Sequence, residues 1–326
     1  MSEYIFKTYI LDGREYFVYG VKHDPLCRRK EIIEKDFPFL ESLLELLYLD
    51  IWKHEPLFKK MEQVIREIYQ NDDYCYQAQL SDLLDELAQV HIFFHQTRLD
   101  WQHRLDLIGT PEADNLSDLL PIKKLAHIPP TIHEMQNQIS GIFEQVLDID
   151  KGTDPVPKRM NRFLRNEKDN ARRTFAFASS LPLHFEATGH DTFGEVLYPN
   201  DVYDLIEYSL REAIKREQRM RICKNCGRYF AIARRSTAEY CERPIDAKGR
   251  TCKDVGSIVQ WTKNRADDDI FKAYRREYKR RFAWIKAGRV TAEDFYAWSE
   301  KARAKKTECD EGKITLGEFE GWLRGL

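Results

Sequence analysis

Seven cysteines occur in 326 residues, and four of them fall in one stretch with the spacing Cys223-x2-Cys226-x14-Cys241-x10-Cys252. Thiolates are strong, soft ligands, and four of them close a tetrahedron around zinc with no position left for a substrate. The first pair forms a knuckle, Cys-Lys-Asn-Cys-Gly-Arg. Two intervening residues let both sulfurs face one ion, and Gly227 takes the tight turn after the second ligand. All nine histidines lie at or before His190, so no local imidazole competes for the site. The expected ligands are therefore Cys223, Cys226, Cys241 and Cys252, and the expected role of the Zn2+ is structural. So few cysteines do not make a disulfide scaffold, and a metal-binding set of four points to a reducing compartment.

Other residues with chemical potential argue less for catalysis. The chain has no Gly-x4-Gly-Lys-Ser/Thr loop, no Gly-x-Ser-x-Gly elbow and no dinucleotide fingerprint. His91 and His95 are four apart, but the intervening Ile92-Phe93-Phe94 lacks the glutamate of a zinc protease, so packing is the expectation. Cys27, Cys75 and Cys309 are single thiols with no base partner evident in the sequence. The carboxylates before residue 200 are too dispersed to pair by spacing. A non-enzymatic protein is expected, with a site in the N-terminal body left as an alternative.

The formal net charge of −2 hides an asymmetry. Residues 211–290 carry 23 Lys and Arg against 10 Asp and Glu, a balance of +13, while the remainder carries 29 against 44, or −15. A basic block of this kind is the footprint of a polyanion binder. The candidate nucleic-acid contacts are Arg228, Arg234, Arg235, Lys248, Arg250, Lys253, Lys263 and Arg265 around the cysteines. Lys272, Arg275, Arg276, Lys279 and Arg280 continue them along a following helix, with Arg281 also facing outward. The competing readings are a solvated helix face and an acidic protein partner.

These residues need elements to hold them. Aromatic-rich alternation over Tyr4–Tyr19, interrupted by Asp12-Gly13, predicts a β-hairpin. From Asp36 the pattern turns helical: Leu40, Leu43, Leu44 and Leu47 keep helix spacing, as do Leu80, Leu83, Leu84, Leu87 and Phe94 in a longer segment. Pro129-Pro130 is expected to break the chain, with Thr131 and Glu134 boxing the start of a helix lined by Met135, Ile139, Ile142, Phe143 and Val146. Short strands are expected at His184–Ala187 and Phe193–Tyr198, then a helix capped by Asn200 that leads to the knuckle. Tyr229–Ile232 and Thr237–Tyr240 read as a strand and its return, and Ser257–Trp261 as helix after the fourth ligand. Phe271, Tyr274, Tyr278, Phe282 and Ile285 mark the buried stripe of the basic helix. Gly288–Trp298 and Gly312–Trp322 repeat at an offset of 24. Each repeat opens a short helix, with a capping threonine (Thr291, Thr315) and a hydrophobic staple. The acidic positions of a calcium loop are missing from these repeats, which excludes an EF-hand.

The run Cys-Lys-Asn-Cys-Gly-Arg-Tyr-Phe, with Glu-Tyr-Cys, the second cysteine pair and the helical tail, resembles an uncharacterised bacterial domain-of-unknown-function family, best from about Asn200 onward. The module is also similar to the CGNR zinc-finger family of presumed transcription regulators. That resemblance implies a DNA-binding zinc module behind an α-rich domain. Lys253-Asp254-Val255 stands where the hallmark Gly-Asn-Arg would be, so only the four metal ligands carry over.

The fold class expected is mainly α with small β elements (α+β): a helical N-terminal body with a β-hairpin, a treble-clef-like zinc module and a helical C-terminal tail. The expected domains are residues 1–198, 199–265 and 266–326. The expected function is zinc-dependent, regulatory nucleic-acid binding, most naturally to DNA, with self-association through the C-terminal helices as a further possibility. Charged residues throughout the first twenty positions and the lack of a long apolar run lead to an expectation of a cytoplasmic protein without membrane contact. A protein-interaction adaptor using the basic module is the alternative to nucleic acid.

Overall fold

The computed structural model describes residues 3–23, 31–71, 74–111, 115–167, 180–189, 191–232, 237–264 and 268–325. The fold is α+β, as the periodicities require. It divides into two compact units: Met1–Ile222 with Tyr229–Thr237, and Cys223–Arg228 with Ala238–Leu326.

The first unit opens with β1 (Glu3–Leu11) and β2 (Arg14–His23). Asp12 and Gly13 take φ of 51° and 75°, the left-handed pair that a two-residue turn needs to match strand twist. β3 (Glu31–Pro38) pairs antiparallel with β2. Glu-Ile-Ile-Glu-Lys-Asp-Phe-Pro does not alternate, so the helical reading from Asp36 starts too early. β3 is an edge strand with charges on its surface, and Pro38 ends it.

The helices then follow as α1 (Glu41–Leu47), α2 (Glu55–Gln70), α3 (Tyr74–Ala88), α4 (Phe94–Leu107), α5 (Leu116–Leu119), α6 (Ile122–Ala126), α7 (Ile128–Ile142) and α8 (Val156–Glu167). α2 shows why they hold together: Leu57, Phe58, Met61, Val64, Ile65 and Ile68 recur every three or four residues and are buried.

The stretch from Leu80 to Phe94 is two helices rather than one. Buried His91 breaks it. Its Nδ1 accepts from Phe93 N–H at 3.2 Å and its Nε2 meets Ser42 O at 2.9 Å, so the imidazole caps the entry to α4. His91 therefore precedes the helix that carries His95, and both are buried in packing.

α7 starts at Ile128, before Pro129-Pro130, and not at Thr131. The prolines occupy the first turn, where their missing N–H groups cost nothing. Thr131 instead donates its hydroxyl to His127 O at 2.8 Å. The predicted stripe from Met135 to Val146 is buried.

β4 (Leu183–Ala187) and β5 (Phe193–Leu197) form the second hairpin, and β5 pairs with β1. The sheet order is β3-β2-β1-β5-β4. α9 (Val202–Lys215) is capped by Asp201, whose Oδ1 accepts from Tyr203 and Asp204 N–H, and not by Asn200. Asn200 instead donates to the Asp204 carboxylate. β6 (Met220–Ile222) and β7 (Tyr229–Ala231) close the unit as a short ribbon.

In the second unit α10 (Cys252–Asn264) precedes a bundle of α11 (Asp269–Lys286), α12 (Ala292–Asp310) and α13 (Leu316–Arg324). Thr315 and Glu318 form a reciprocal capping box, and Thr291 caps α12 by accepting from Asp294 N–H. α12 is 19 residues long rather than short, because Glu300–Lys306 supplies strong helix formers and no glycine intervenes before Gly312. Phe295, Trp298, Ala302, Phe319 and Leu323 bury the inner faces of α12 and α13 within their own bundle. Among the described residues no helix is long and apolar enough to cross a membrane.

A candidate metal centre and its basic helix

Gly227, at φ 70°, carries the chain around the knuckle, with Cys223 N–H to Arg228 O and Gly227 N–H to Cys223 O both at 2.9 Å. Lys224 N–H donates to Glu239 O at 3.0 Å, which sets the approach to the third ligand. Thr237–Tyr240 is not a strand. The partner of β7 is β6, upstream of the knuckle.

Between Cys241 and Cys252 the chain doubles back. Pro244 bridges Thr251, Ile245 N–H bonds Arg250 O at 2.8 Å, and Asp246 Oδ1 accepts from Lys248 N–H. Thr251 and Asp254 cap each other across the first turn of α10, which fixes Cys252 at the helix start.

The result is four thiol sulfurs within 4.8 Å of one another. A tetrahedral zinc site with Zn–S of ~2.3 Å has sulfur–sulfur edges of ~3.8 Å. Cys226 and Cys241 already stand 3.7 Å apart, so the donor set fits a closed, four-sulfur metal site.

The surroundings favour a negative centre. Asn225 Nδ2 donates to Cys252 Sγ at 3.2 Å, Cys241 N–H to Cys223 Sγ at 3.4 Å, and Arg243 Nη1 approaches Cys226 Sγ at 3.8 Å. Burial raises the Cys223 thiol, but the N–H groups of Cys226, Cys241 and Asn225 outweigh it and bring the pKa to about 7. Burial pushes Cys241 and Cys252 up. A divalent cation is what turns such a crowded set into thiolates. Asn225 and Arg243 were not singled out in the sequence, because a sulfur partner leaves no spacing signal.

The basic candidates separate by environment. Arg228 and Lys248 are exposed. Arg250 pairs with Asp246 at 2.6 Å and Lys253 with Glu242 at 2.6 Å. Arg234, Arg235 and Arg265 lie outside the described residues, as does the side chain of Lys263.

On α11, Lys272, Arg275, Arg276, Lys279 and Lys286 are all exposed. At about 100° per residue they share one face, which runs for about 21 Å along the axis. Lys272 pairs with Asp269 and Arg275 lies over Phe271 at 5.9 Å, while Arg276, Lys279 and Lys286 meet no carboxylate among the described residues. Arg280 leans away to Glu277 at 2.6 Å.

Arg281 departs from expectation. It is buried, bonds Glu277 at 3.0 Å and Leu323 O at 3.2 Å, and sits over the Trp298 ring at 4.7 Å. Ala273, Glu277 and Arg281 are the buried residues of α11; Tyr274, Tyr278 and Ile285 of the expected stripe pack half-buried against the bundle core, and Phe282 is instead 45% exposed. An arginine whose stem packs on tryptophan satisfies both the apolar contact and the charge, which a count of hydrophobic spacing does not register.

Residues 173–322 match the model of a family of unknown function (DUF6076). No curated protein and no solved structure matches the chain.

Proposed function

We propose that this protein binds nucleic acid, DNA in particular, in a regulatory and cytoplasmic role, and that a structural zinc ion held by Cys223, Cys226, Cys241 and Cys252 organises the binding module. The observation that carries the reading is the one-sided row of exposed cations on α11. Cations repeating every three or four residues, with acidic groups kept to the helix start and to buried Glu277, suit a phosphate backbone. A closed four-sulfur site supports a structural ion, since it leaves no coordination position for a reactant. The similarity of the cysteine spacing to the CGNR family points the same way.

The test is a salt titration of binding to labelled duplex DNA and to RNA by the metal-loaded full-length protein. Several phosphate contacts give a slope of several in log affinity against log salt. The variant Arg276→Glu/Lys279→Glu/Lys286→Glu alters only side chains outside the bundle core. It is expected to lose at least tenfold in affinity and to flatten the slope by about 3, with metal content unchanged. An unchanged slope would remove α11 from the interface. The second reading is a protein-interaction adaptor in which the basic block, +13 over residues 211–290, meets an acidic protein partner. Preference for such a partner over DNA at physiological salt would select it.

A further inference from the structure

Aromatic rings border the cation face of α11. A turn of about 100° per residue brings Phe271 and Phe282 to nearly the same angle, three turns and about 16 Å apart, beside the exposed row Lys272, Arg275, Lys279 and Lys286. Phe282 is 45% exposed. At Phe271 the aromatic surface continues onto α10, where Trp261 is also 45% exposed and meets the Phe271 ring in a T-shaped contact with centroids 5.0 Å apart. Both phenylalanines have cations at helix-neighbour spacing. Arg275 lies over Phe271 at 5.9 Å, and Phe282 falls between Lys279, three residues before it, and Lys286, four after it.

The charges and the rings together select one kind of occupant. The carboxylates that pair with cations on α11 are Asp269 and Glu277, which hold Lys272, Arg280 and Arg281. Lys279 and Lys286 have no ion pair among the described residues, so their charge is left for an outside polyanion. A duplex can use these charges but not the rings, because its bases cover one another's faces. A strand with unpaired bases uses both: its phosphates meet the cations and its bases cover the rings.

We infer that this surface takes single-stranded nucleic acid in preference to duplex, with bases stacked on Trp261 and Phe282 and the phosphates between them held by Arg275, Lys279 and Lys286. The inference rests on the nucleic-acid reading above and narrows it to an unpaired base joined to phosphate, a chemistry that single-stranded DNA and RNA share. Tyr296 on α12 marks where the surface ends. It is 64% exposed and connects to Phe282 through the Phe295 ring. Exposed Glu293 and Glu300 flank it at the same helix spacing, and their charge repels a phosphate.

The test is binding of the full-length, metal-loaded protein, across a salt titration, to labelled probes of equal length: single-stranded DNA, single-stranded RNA, duplex DNA and an abasic DNA strand. Either single strand is expected to bind at least ~10-fold tighter than the duplex and the abasic strand, and the ratio of RNA to DNA affinity identifies the source. Trp261→Leu and Phe282→Leu keep an apolar side chain but offer no ring face. Each is expected to lose at least ~5-fold in single-strand affinity, with the salt slope, the duplex and abasic affinities and the circular dichroism unchanged. Tyr296→Leu is expected to bind as wild type does. Duplex or abasic strand bound as tightly as single strand, with a steep salt slope, overturns the inference and leaves the phosphate reading of α11 standing. Single-strand affinity untouched by both Trp261→Leu and Phe282→Leu overturns it as well. Binding to none of the probes removes both readings and assigns the basic face to an acidic protein partner.

Discussion

Glu15 gives a prediction whose sign and size both follow from the structure. It reaches from β2 to the start of α1, where its carboxylate accepts from Ser42 N–H at 2.7 Å, and it is almost wholly buried. Burial outweighs the bonds it accepts and raises its pKa from 4.5 to about 7. The neutral acid is the form the fold prefers, so the associated stability is complete below pH 4.5 and lost as pH rises to 7. Next to it His91, bonded to Ser42 O, is lowered from 6.5 to about 4, chiefly by burial. Its stability is complete above pH 6.5 and lost as pH falls to 4. The two slopes oppose each other across the same window. Between pH 7 and pH 5, Glu15 gains ~2 kcal/mol and His91 loses ~2 kcal/mol, so the pair is nearly flat. Glu15→Gln keeps the acceptor but cannot titrate. Relative to wild type, it should therefore lose an additional ~2 kcal/mol between pH 7 and pH 5. The assay is urea unfolding at both pH values, followed by the fluorescence of buried Trp101. A variant that tracks wild type to within ~0.5 kcal/mol across that interval would refute the argument.

Other perturbations test the second unit. Cys226→Ser, or removal of metal with a chelator, should abolish stoichiometric metal binding and melt residues 238–264, read by metal analysis and proteolysis; intact protection without metal would refute a folding role for the ion. Gly256→Ala places a Cβ in overlap with Tyr240 Cδ1 and 2.9 Å from its Cγ, so the ring beside Cys241 must move. The overpacking should cost ~1–3 kcal/mol despite the gain in helix propensity, and an increase in melting temperature would contradict it. Arg281→Ala removes the stem packed on Trp298 and the bond to Leu323 O and leaves Glu277 with Arg280 alone, so it should destabilise the bundle by ~1–3 kcal/mol. Exposed Arg276→Ala should leave melting unchanged, and equal effects of the two variants would show that their different burial has no energetic meaning.

Elements with a single dominant period were readable in the sequence. The first hairpin was announced by Asp12-Gly13, the metal site by its cysteine spacing, and the tail helices by threonine caps. The errors fall where a distant group decides the local structure. His91 ends one helix and starts the next through bonds to Ser42 and Phe93. β3 exists because β2 offers it a ladder, not because of its own alternation. Beside the expected stripe, α11 buries a Glu277–Arg281 pair that spacing rules place in water. Asn225 and Arg243 act on sulfur atoms that only the folded knuckle brings to them.

The pairing of β5 with β1, Thr8 opposite Leu197, reaches beyond the segment that the family model matches. That segment begins at residue 173 and so includes β4 and β5, but not the strand on which they lean. By itself the matched segment therefore lacks the strand that β5 pairs with. A polypeptide cut at residue 173 would leave β5 with a bare inner edge. The leading hairpin is thus part of what supports the matched segment in this chain, through the strand that β5 pairs with.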